Sequence, residues 1–195
     1  YNLFLIEDCA QAHFAKWNNQ NVGTFGLAGT FSFFPGKNLG AYGDAGAIVT
    51  NSDEFAEKVR MFANHGALVK HHHEIEGINS RLDGLQAAIL SVKLKHIKAW
   101  NKSRLENAIF YNKLLSNNKN IIIPKISKNA IHVFHLYVIR CKDREGLMKH
   151  LKHSNIGVSI HYPTPLPFLK AYHYLNHKHE DFSISNDYSK EILSL

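Results

Sequence analysis

Three polar side chains near the start of the chain could act together in one reaction. Asp8 lies just after the apolar run of residues 3–6, Ser32 lies in a run of β-forming residues, and Lys37 lies in the loop behind it. Open α/β sheets bind ligands at the carboxyl ends of their strands, where these side chains are expected. The pair of Asp8 and Lys37 has two explanations, a salt bridge at a sheet edge or a pyridoxal phosphate site.

The second explanation gives each group of the pair a chemical role. The lysine forms a Schiff base with the cofactor, and the carboxylate pairs with the protonated pyridine nitrogen, which keeps the ring electron-poor. The released lysine then carries the proton as an acid and base. A phosphate-binding P-loop is excluded, because Asn38 follows the lysine and Phe31 takes the place of the required glycine.

Alternating strands and helices must position these residues, and this alternation predicts an α/β fold. The apolar run 3–6 is typical of a parallel strand that is buried on both faces. Two apolar stripes from residue 82 onward predict one long helix to about residue 115, crossing between two subdomains. The remaining predicted elements are strands at 28–34, 47–50, 132–140 and 158–161, an extended segment at 121–124, and helices at 51–64 and 143–153.

The composition is that of an ordinary globular protein. The 195 residues include 45% apolar and 20% charged residues, with a net charge of 23 − 16 = +7, so disorder and collagen-like repeats are excluded. No apolar run reaches the length of a membrane span. The positive charge comes without a recognition motif, so we expect neither a nucleic-acid nor a membrane partner.

Cysteine and histidine usage fits a protein without structural metal or disulfides. Cys9 and Cys141 cannot form a disulfide framework, and they fit a reducing, cytoplasmic location. We expect Cys9 to be a small buried filler beside Asp8. The adjacent residues 71–73 are all histidines but lack the spacing of zinc ligands, so no metal site is expected.

The ends of the chain and a change in composition predict how it is organised. The sequence begins at Tyr1 inside a predicted strand and stops within a helical pattern, so we expect it to be a fragment of a longer protein. Glycine-rich loops precede residue 100, and a lysine- and histidine-rich unit follows it. The predicted domains are therefore 1–100 and 101–195.

Several collinear motifs resemble the DegT/DnrJ/EryC1/StrS family of sugar aminotransferases, and most of all the enzymes that act on nucleotide-linked keto-deoxy sugars. The similarity covers essentially the whole chain. The motifs that carry it are EDCAQAH at 7–13, TFSFFPGKNLGAYGDAGAIVTN at 30–51, NHG at 64–66, GINSRLDGLQAAIL at 77–90, VFHLYVIR at 133–140 and IHYPTP at 160–165.

The resemblance implies a partial pyridoxal-phosphate transferase fold of type I, with part of the large-domain sheet in 1–100 and a small C-terminal α+β domain in 101–195. Pyridoxal 5′-phosphate is the implied cofactor. The residues that match family positions are Lys37 for the Schiff base, Asp8 for the pyridine nitrogen, Gln11 for the ring hydroxyl, Ser32 for the phosphate, and Asn79 for the phosphate of the neighbouring subunit's cofactor.

The same resemblance implies a reaction and its partners. An amino group, from glutamate, would be moved to a keto group on a nucleotide-linked, dTDP-linked deoxy sugar in the biosynthesis of a polysaccharide such as lipopolysaccharide. His13, His161 and Tyr162 match segments near the substrate. Because Asn79 would serve the neighbouring active site, a homodimer with shared sites is expected.

Two alternatives stay open, and one departure from the family pattern bears on the fold. The chain could be an inactive, truncated gene product that keeps only part of the fold. A dehydratase-type relative without a covalent lysine is disfavoured by Lys37. The family has a glycine where this chain has Phe14, and it is about twice as long.

Overall fold

A computed structural model describes residues 1–195, which form two compact units. The first unit comprises 1–105 and 126–135, and the second comprises 106–125 and 136–195. None of the helices is both long enough and apolar enough to cross a membrane. The elements in chain order are β1 (Ile6–Asp8), β2 (Lys16–Trp17), β3 (Gln20–Asn21), β4 (Ala28–Ser32), β5 (Gly46–Val49), α1 (Asp53–Ala63), α2 (Gly84–Leu94), α3 (Ile97–Leu115), β6 (Ile121–Ile122), β7 (Ala130–Ile131), β8 (Val138–Cys141), α4 (Arg144–His153), α5 (Ser183–Glu191) and β9 (Ile192–Ser194), with short 3₁₀ turns between α4 and α5.

A three-stranded sheet in the first unit carries the N-terminal motif. Its order is β1-β4-β5, with β1 and β4 parallel and β4 and β5 antiparallel. Gly29 in β4 lets a neighbouring loop pass close to the strand, because a Cβ there would lie 2.3 Å from the Gly23 Cα. A side chain at this position would therefore separate the loop from the sheet.

The prediction that the first strand is buried on both faces is wrong. The strand covers only residues 6–8, and Leu3 and Phe4 before it are both 83% exposed. β1 has a neighbour on one side only, so in this chain it is an edge strand. An apolar run reports what a strand could bury, whereas burial also depends on the segments that cover it.

Helix α1 forms where its capping residues predict it. The Ser52 side chain accepts a hydrogen bond from the Phe55 N–H at 3.2 Å, and acidic residues occupy the first turn, where they complement the helix dipole. The helix stops before Gly66, which has a φ of +79°. A Cβ on Gly66 would also lie 1.7 Å from the Ile75 carbonyl oxygen, so only glycine fits this stop.

The single long helix predicted from residue 82 to 115 is instead two helices. The break falls at Lys95 and His96, where the His96 N–H donates to the Lys93 carbonyl three residues back. The His96 carbonyl then accepts the first bonds of α3, from Ala99 and Trp100. No glycine, proline or side-chain cap marks this break, so the apolar pattern continues through it unchanged.

The second unit has its own antiparallel sheet, of order β6-β8-β9. Its centre is formed by Ile139 and Leu193, which are 1% and 0% exposed. Helix α4 starts where predicted, with the Asp143 side chain accepting from the Gly146 N–H at 3.0 Å.

Two predicted strands of the C-terminal half differ from the structure. The strand predicted at 132–140 is β8 alone, and the one predicted at 158–161 is reduced to an isolated bridge between Ser159 and Ser194. Helix α5 and strand β9 were not predicted. The assignment of 1–100 and 101–195 to a large and a small domain stays a prediction.

Candidate active site

Two of the predicted site residues lie at the carboxyl ends of adjacent parallel strands. Asp8 is the last residue of β1 and pairs with Thr30 of β4, two residues before Ser32. With strands about 4.8 Å apart and a rise of about 3.3 Å per residue, the Cα atoms of Asp8 and Ser32 are about 8 Å apart. Side chains alternate along a strand, so Asp8, Thr30 and Ser32 project from the same face of the sheet.

The Asp8 carboxylate is exposed and has no cationic partner. Its Oδ1 accepts a hydrogen bond from the Ala10 N–H at 3.0 Å, which turns the chain just after the strand. Gln11 is exposed in the same turn. The carboxylate therefore keeps acceptor capacity that the protein itself does not use.

Cys9, next to Asp8, is a buried structural residue, as expected. It is 2% exposed, and its N–H donates to the Thr30 carbonyl at 2.8 Å. Burial raises the pKa of the Cys9 thiol, and the negative charges of Glu7 and Asp8 raise it further. A thiol with a raised pKa stays protonated and is a poor nucleophile.

Lys37 lies in a tight turn after β4. Its N–H donates to the Phe34 carbonyl at 2.8 Å, and the residue is half-buried. No hydrogen bond or ion pair engages its Nζ, and none joins it to Asp8. The salt-bridge explanation of the pair therefore does not describe this structure.

The residues directly after Lys37 are buried. Leu39 and Ala41 are 5% and 1% exposed, and they form one apolar cluster with Leu90 of α2 and Ile97 of α3. A Cβ on Gly40 would lie 2.3 Å from the Pro35 carbonyl oxygen, so this loop closes only around a glycine. The Lys37 turn is thus exposed on its N-terminal side and anchored in the core on its C-terminal side.

Helix α2 also holds the loop that follows. The Lys93 Nζ donates a hydrogen bond to the Gly40 carbonyl, and the Gln86 Oε1 accepts one from the Tyr42 N–H at 2.8 Å. These contacts connect the glycine-rich segment behind Lys37 to a rigid element. Loops supported in this way place a side chain more reproducibly than free loops do.

His13 is enclosed by aromatic rings. It is 3% exposed, and its ring centroid lies 5.6 Å from that of Phe31 and 5.8 Å from that of Phe33. Neither ring nitrogen has a partner at hydrogen-bond geometry. Burial lowers the pKa of His13, the charge of Lys37 lowers it further, and the nearby Ser32 backbone opposes the fall. His13 is therefore neutral and packed in the interior, and its predicted contact with substrate stays a prediction.

Asn79 and Ser32 line the same cavity. This cavity has a volume of about 690 Å³, and Asp44 and Arg81 are also in its wall. The Arg81 Nε donates to the Asn79 Oδ1 at 3.1 Å. The fold thus brings Asn79 near the Ser32 of its own chain, while its predicted reach to a neighbouring subunit stays a prediction.

His161 and Tyr162 belong to the second unit. The His161 Nδ1 lies 2.8 Å from the Ser194 Oγ, and Tyr162 is 61% exposed. Both line a cavity of about 670 Å³, together with Pro163, Pro165 and residues of α5. This cavity is apolar with a histidine and tyrosines at its wall, a composition common in ligand pockets.

Sequence patterns gave no indication of two groups that support the site. The Glu7 carboxylate accepts three backbone N–H bonds beside Asp8. Asn38 and Asn101 form a buried amide pair behind Lys37. Asn101 lies on the helix face of the buried residues Ile97 and Ala108, but in a sequence such an asparagine is indistinguishable from a solvated position.

Comparison with known proteins shows which family the chain that carries these residues resembles. The model of the DegT/DnrJ/EryC1/StrS aminotransferase family matches residues 1–195. A dTDP-3-amino-3,6-dideoxy-α-D-galactopyranose transaminase of Aneurinibacillus thermoaerophilus is 46% identical over 197 residues, which cover 100% of this chain and 53% of the relative. A UDP-N-acetyl-3-dehydro-α-D-glucosamine 3-aminotransferase of Acidithiobacillus ferrooxidans is 42% identical over 165 residues, 85% of this chain and 44% of the relative.

Solved structures give the same result for the fold. The Streptomyces venezuelae protein DesV matches with a TM-score of 0.96 and 37% identity, over 99% of this chain and 52% of that one. A DegT/DnrJ/EryC1/StrS aminotransferase from Brucella abortus matches with a TM-score of 0.92 and 34% identity, over 99% and 52%. The predicted fold class, part of a type I pyridoxal-phosphate transferase fold, is confirmed. The chain spans about half the length of the curated relatives it matches.

Proposed function

The chain belongs to the DegT/DnrJ/EryC1/StrS aminotransferase family, and from that premise we propose that it supplies the lysine-bearing part of a sugar-nucleotide aminotransferase. Enzymes of this family depend on pyridoxal 5′-phosphate. In this proposal, residues 1–100 are the C-terminal part of the cofactor-binding large domain and residues 101–195 are a small domain. The cofactor would bind where β1 and β4 end.

The donor set at these strand ends fits the cofactor. Pyridoxal phosphate offers an aldehyde, a basic ring nitrogen and a phosphate, which call for an amine, a carboxylate and hydrogen-bond donors. The amine of Lys37 and the carboxylate of Asp8 both lack an ionic partner, and Ser32 projects from the same sheet face as Asp8. The single observation that carries the proposal is that neither this lysine nor this carboxylate has an ionic partner within the chain.

Each residue then has a defined task. When bound, the cofactor supplies an electron-poor ring that accepts the electron pair of a breaking bond. Asp8, whose Oδ2 faces no protein donor, would stabilise a proton on the ring nitrogen. The Lys37 Nζ would hold the cofactor and then move a proton as acid and base. Gln11 and Ser32 would orient the ring hydroxyl and the phosphate.

The substrate class follows from the relatives and from charge. The curated relatives are named for dTDP-linked and UDP-linked amino sugars, so we propose a keto group on a nucleotide-linked deoxy sugar, dTDP-linked, as acceptor. Glutamate is the proposed amino donor. The net charge of +7 favours approach of a diphosphate. A cytoplasmic homodimer with shared sites, working in polysaccharide or lipopolysaccharide synthesis, completes the proposal.

Cofactor capture and amino transfer in the full-length protein test this function. Addition of pyridoxal phosphate should produce an absorbance band that borohydride removes, with the label on the peptide that contains Lys37. A dTDP-keto-sugar should be aminated faster than its UDP counterpart, with glutamate as donor. The control is Lys98→Ala, which removes an exposed lysine on α3. Label on another lysine, or no transfer to any keto-sugar nucleotide, would refute the proposal and favour an inactive gene product.

A further inference from the structure

A buried pair of asparagine side chains lies directly behind Lys37. Asn38 is 5% exposed and Asn101, on α3, is 9% exposed. The Asn38 Nδ2 donates to the Asn101 Oδ1 at 2.9 Å and to the Val133 carbonyl at 3.0 Å. The Asn38 Oδ1 accepts from the Nδ1 of His135 at 3.1 Å. Both N–H groups and the oxygen of the Asn38 amide therefore have hydrogen-bond partners.

Asn101 extends this network to a second segment. Its Nδ2 donates to the His13 carbonyl at 2.9 Å. One helix thus holds the loop after β1, which carries His13, and the loop after β4, which carries Lys37. The segment 133–135 is held to the same helix a second time, because the Arg104 guanidinium donates to the Phe134 and His135 carbonyls at 3.2 Å.

The chemistry of the partners allows only one orientation of both amides. A backbone carbonyl can only accept, so Asn101 must present its NH₂ to His13 and Asn38 must present its NH₂ to Val133. The Asn38 oxygen then faces His135, which must donate from Nδ1. A flip of either amide would place two acceptors, or two donors, against each other in the interior, which is strongly unfavourable because the buried groups then have no hydrogen-bond partner.

Lys37 needs such support because its own turn provides little. Residues 34–36 are exposed, and the turn has one backbone hydrogen bond, from the Lys37 N–H to Phe34. The apolar cluster around Leu39 fixes how deeply the loop inserts, but apolar contacts are not directional. The hydrogen bonds of Asn38 are directional, and its backbone is one peptide bond away from the Cα of Lys37.

We propose that Asn38 and Asn101 are positioning residues, which together fix the direction in which Lys37 leaves the loop. We call them the amide clamp. The inference rests on the proposed function, in that the direction matters for cofactor capture by Lys37. A misplacement of about 1 Å at a reacting group can cost about 100-fold in rate. The clamp would act by preventing such a displacement and would not touch the cofactor.

The test uses a substitution that keeps the shape of one side chain and breaks one link. Asn101→Asp retains an oxygen toward Asn38 but replaces the donor to His13 with a second acceptor. Asn107→Asp, on the exposed part of the same helix, adds the same charge without touching the clamp. If Asn101→Asp does not fold, Asn101→Ala, which leaves space for a water, takes its place.

Three measurements on the full-length protein distinguish positioning from general stability. The rate at which Lys37 captures pyridoxal phosphate, followed by absorbance without any sugar, should fall about 10-fold to 100-fold in Asn101→Asp. The pH at which half of the resulting absorbance band is lost should also shift in this variant. Asn107→Asp should match the wild type in both. In steady state, kcat should fall while KM for glutamate changes little.

A fourth measurement does not depend on the cofactor. Amide hydrogen exchange of residues 36–41 should be faster in Asn101→Asp than in Asn107→Asp, even without pyridoxal phosphate. Failure of the wild type to capture cofactor would overturn the proposed function. The comparison of amide exchange between the two variants would still test the clamp in that case. Unchanged exchange, or a folded Asn101→Asp protein with normal capture rate and band midpoint, would overturn the clamp.

Discussion

Substitution of Glu7 by Gln should destabilise the protein although the two side chains have nearly the same shape. The Glu7 Oε2 accepts from the Gly23 N–H at 2.7 Å, and its Oε1 accepts from the N–H groups of Phe25 and Gly26 at 2.7 and 2.9 Å. Three donors thus converge on one carboxylate. This contact ties the loop before β4 to β1, one residue from Asp8.

The magnitude follows from what glutamine can and cannot accept. Its single oxygen can keep the bonds from Phe25 and Gly26, but its NH₂ then faces the Gly23 N–H, donor against donor. Loss of charge weakens each remaining bond by about 1 kcal/mol, and the unsatisfied Gly23 donor costs about 1–3 kcal/mol. After a discount for the partial exposure of the contacts, we expect a loss of about 2–3 kcal/mol in the free energy of unfolding.

The pH dependence of the free energy of unfolding provides a second, independent test of this contact. Burial alone would raise the pKa of Glu7, but the hydrogen bonds from Gly26, Gly23 and Phe25 outweigh it, and the pKa lies below its ordinary value of 4.5. A carboxyl with a lowered pKa stabilises the folded state above the unfolded-state pKa, and this contribution is lost as the pH falls through the folded-state pKa. The stability difference between wild type and Glu7→Gln should therefore narrow below pH 4.5.

Urea unfolding at neutral and acidic pH measures both effects. The control is Glu54→Gln, which removes an exposed carboxylate whose partner is Lys58, one helical turn away, and it should leave the midpoint nearly unchanged. A loss in Glu7→Gln below about 0.5 kcal/mol at neutral pH, within the ordinary range of surface substitutions, would refute the reasoning. So would a difference that stays constant as the pH falls.

The other predictions concern the candidate site and one strained residue. Lys37→Ala should abolish both the borohydride-sensitive band and amino transfer, and an unchanged band in that variant would refute the assignment. Asp8→Asn should keep weak cofactor binding but lose most activity, since a neutral amide cannot stabilise a protonated pyridine; near-normal turnover would make Asp8 structural. Phe14→Gly relieves the left-handed backbone at a φ of 64° but gives up the buried part of a residue that is 40% exposed, so the two effects should offset each other to within about 1 kcal/mol in urea unfolding, and a larger change in either direction would contradict this. Residues 1–195 alone should give no measurable transamination from glutamate to a keto-sugar nucleotide, whereas robust turnover would show that this half of the relatives' length suffices.

Local signals in the sequence were enough to predict the elements that carry the site. Strand β4 is followed by Pro35 and Gly36, and α1 begins at a Ser cap with acidic residues behind it. Such features act over a few residues, so their effect is largely independent of the rest of the chain. The strand ends with Asp8 and Ser32 could be placed for this reason.

The features that could not be predicted depend on partners distant in sequence. The break between α2 and α3 lies in good helix-forming residues, and β9 exists because β8 pairs with it. Asn101 looks like a solvated position until His13 and Asn38, 88 and 63 residues away, are brought against it. Tertiary contacts decide such positions, and a single sequence does not contain them in any local pattern.

The two faces of β4 explain how the proposed Schiff-base lysine, Lys37, can be both accessible and held in place. Phe31 on one face packs against buried His13 with tilted rings, while Thr30 and Ser32 project from the other face. The His13 ring packs against the first face, and the His13 carbonyl accepts a hydrogen bond from Asn101 of the amide clamp. The packing that buries His13 therefore also supports the helix contact behind Lys37, so loss of the aromatic ring at this position should lower cofactor capture without any contact to substrate. His13→Phe, which keeps an aromatic ring in this packing, should preserve the capture rate, whereas His13→Ala, which removes the ring, should lower it; equal loss in both would instead favour a direct chemical role for the imidazole.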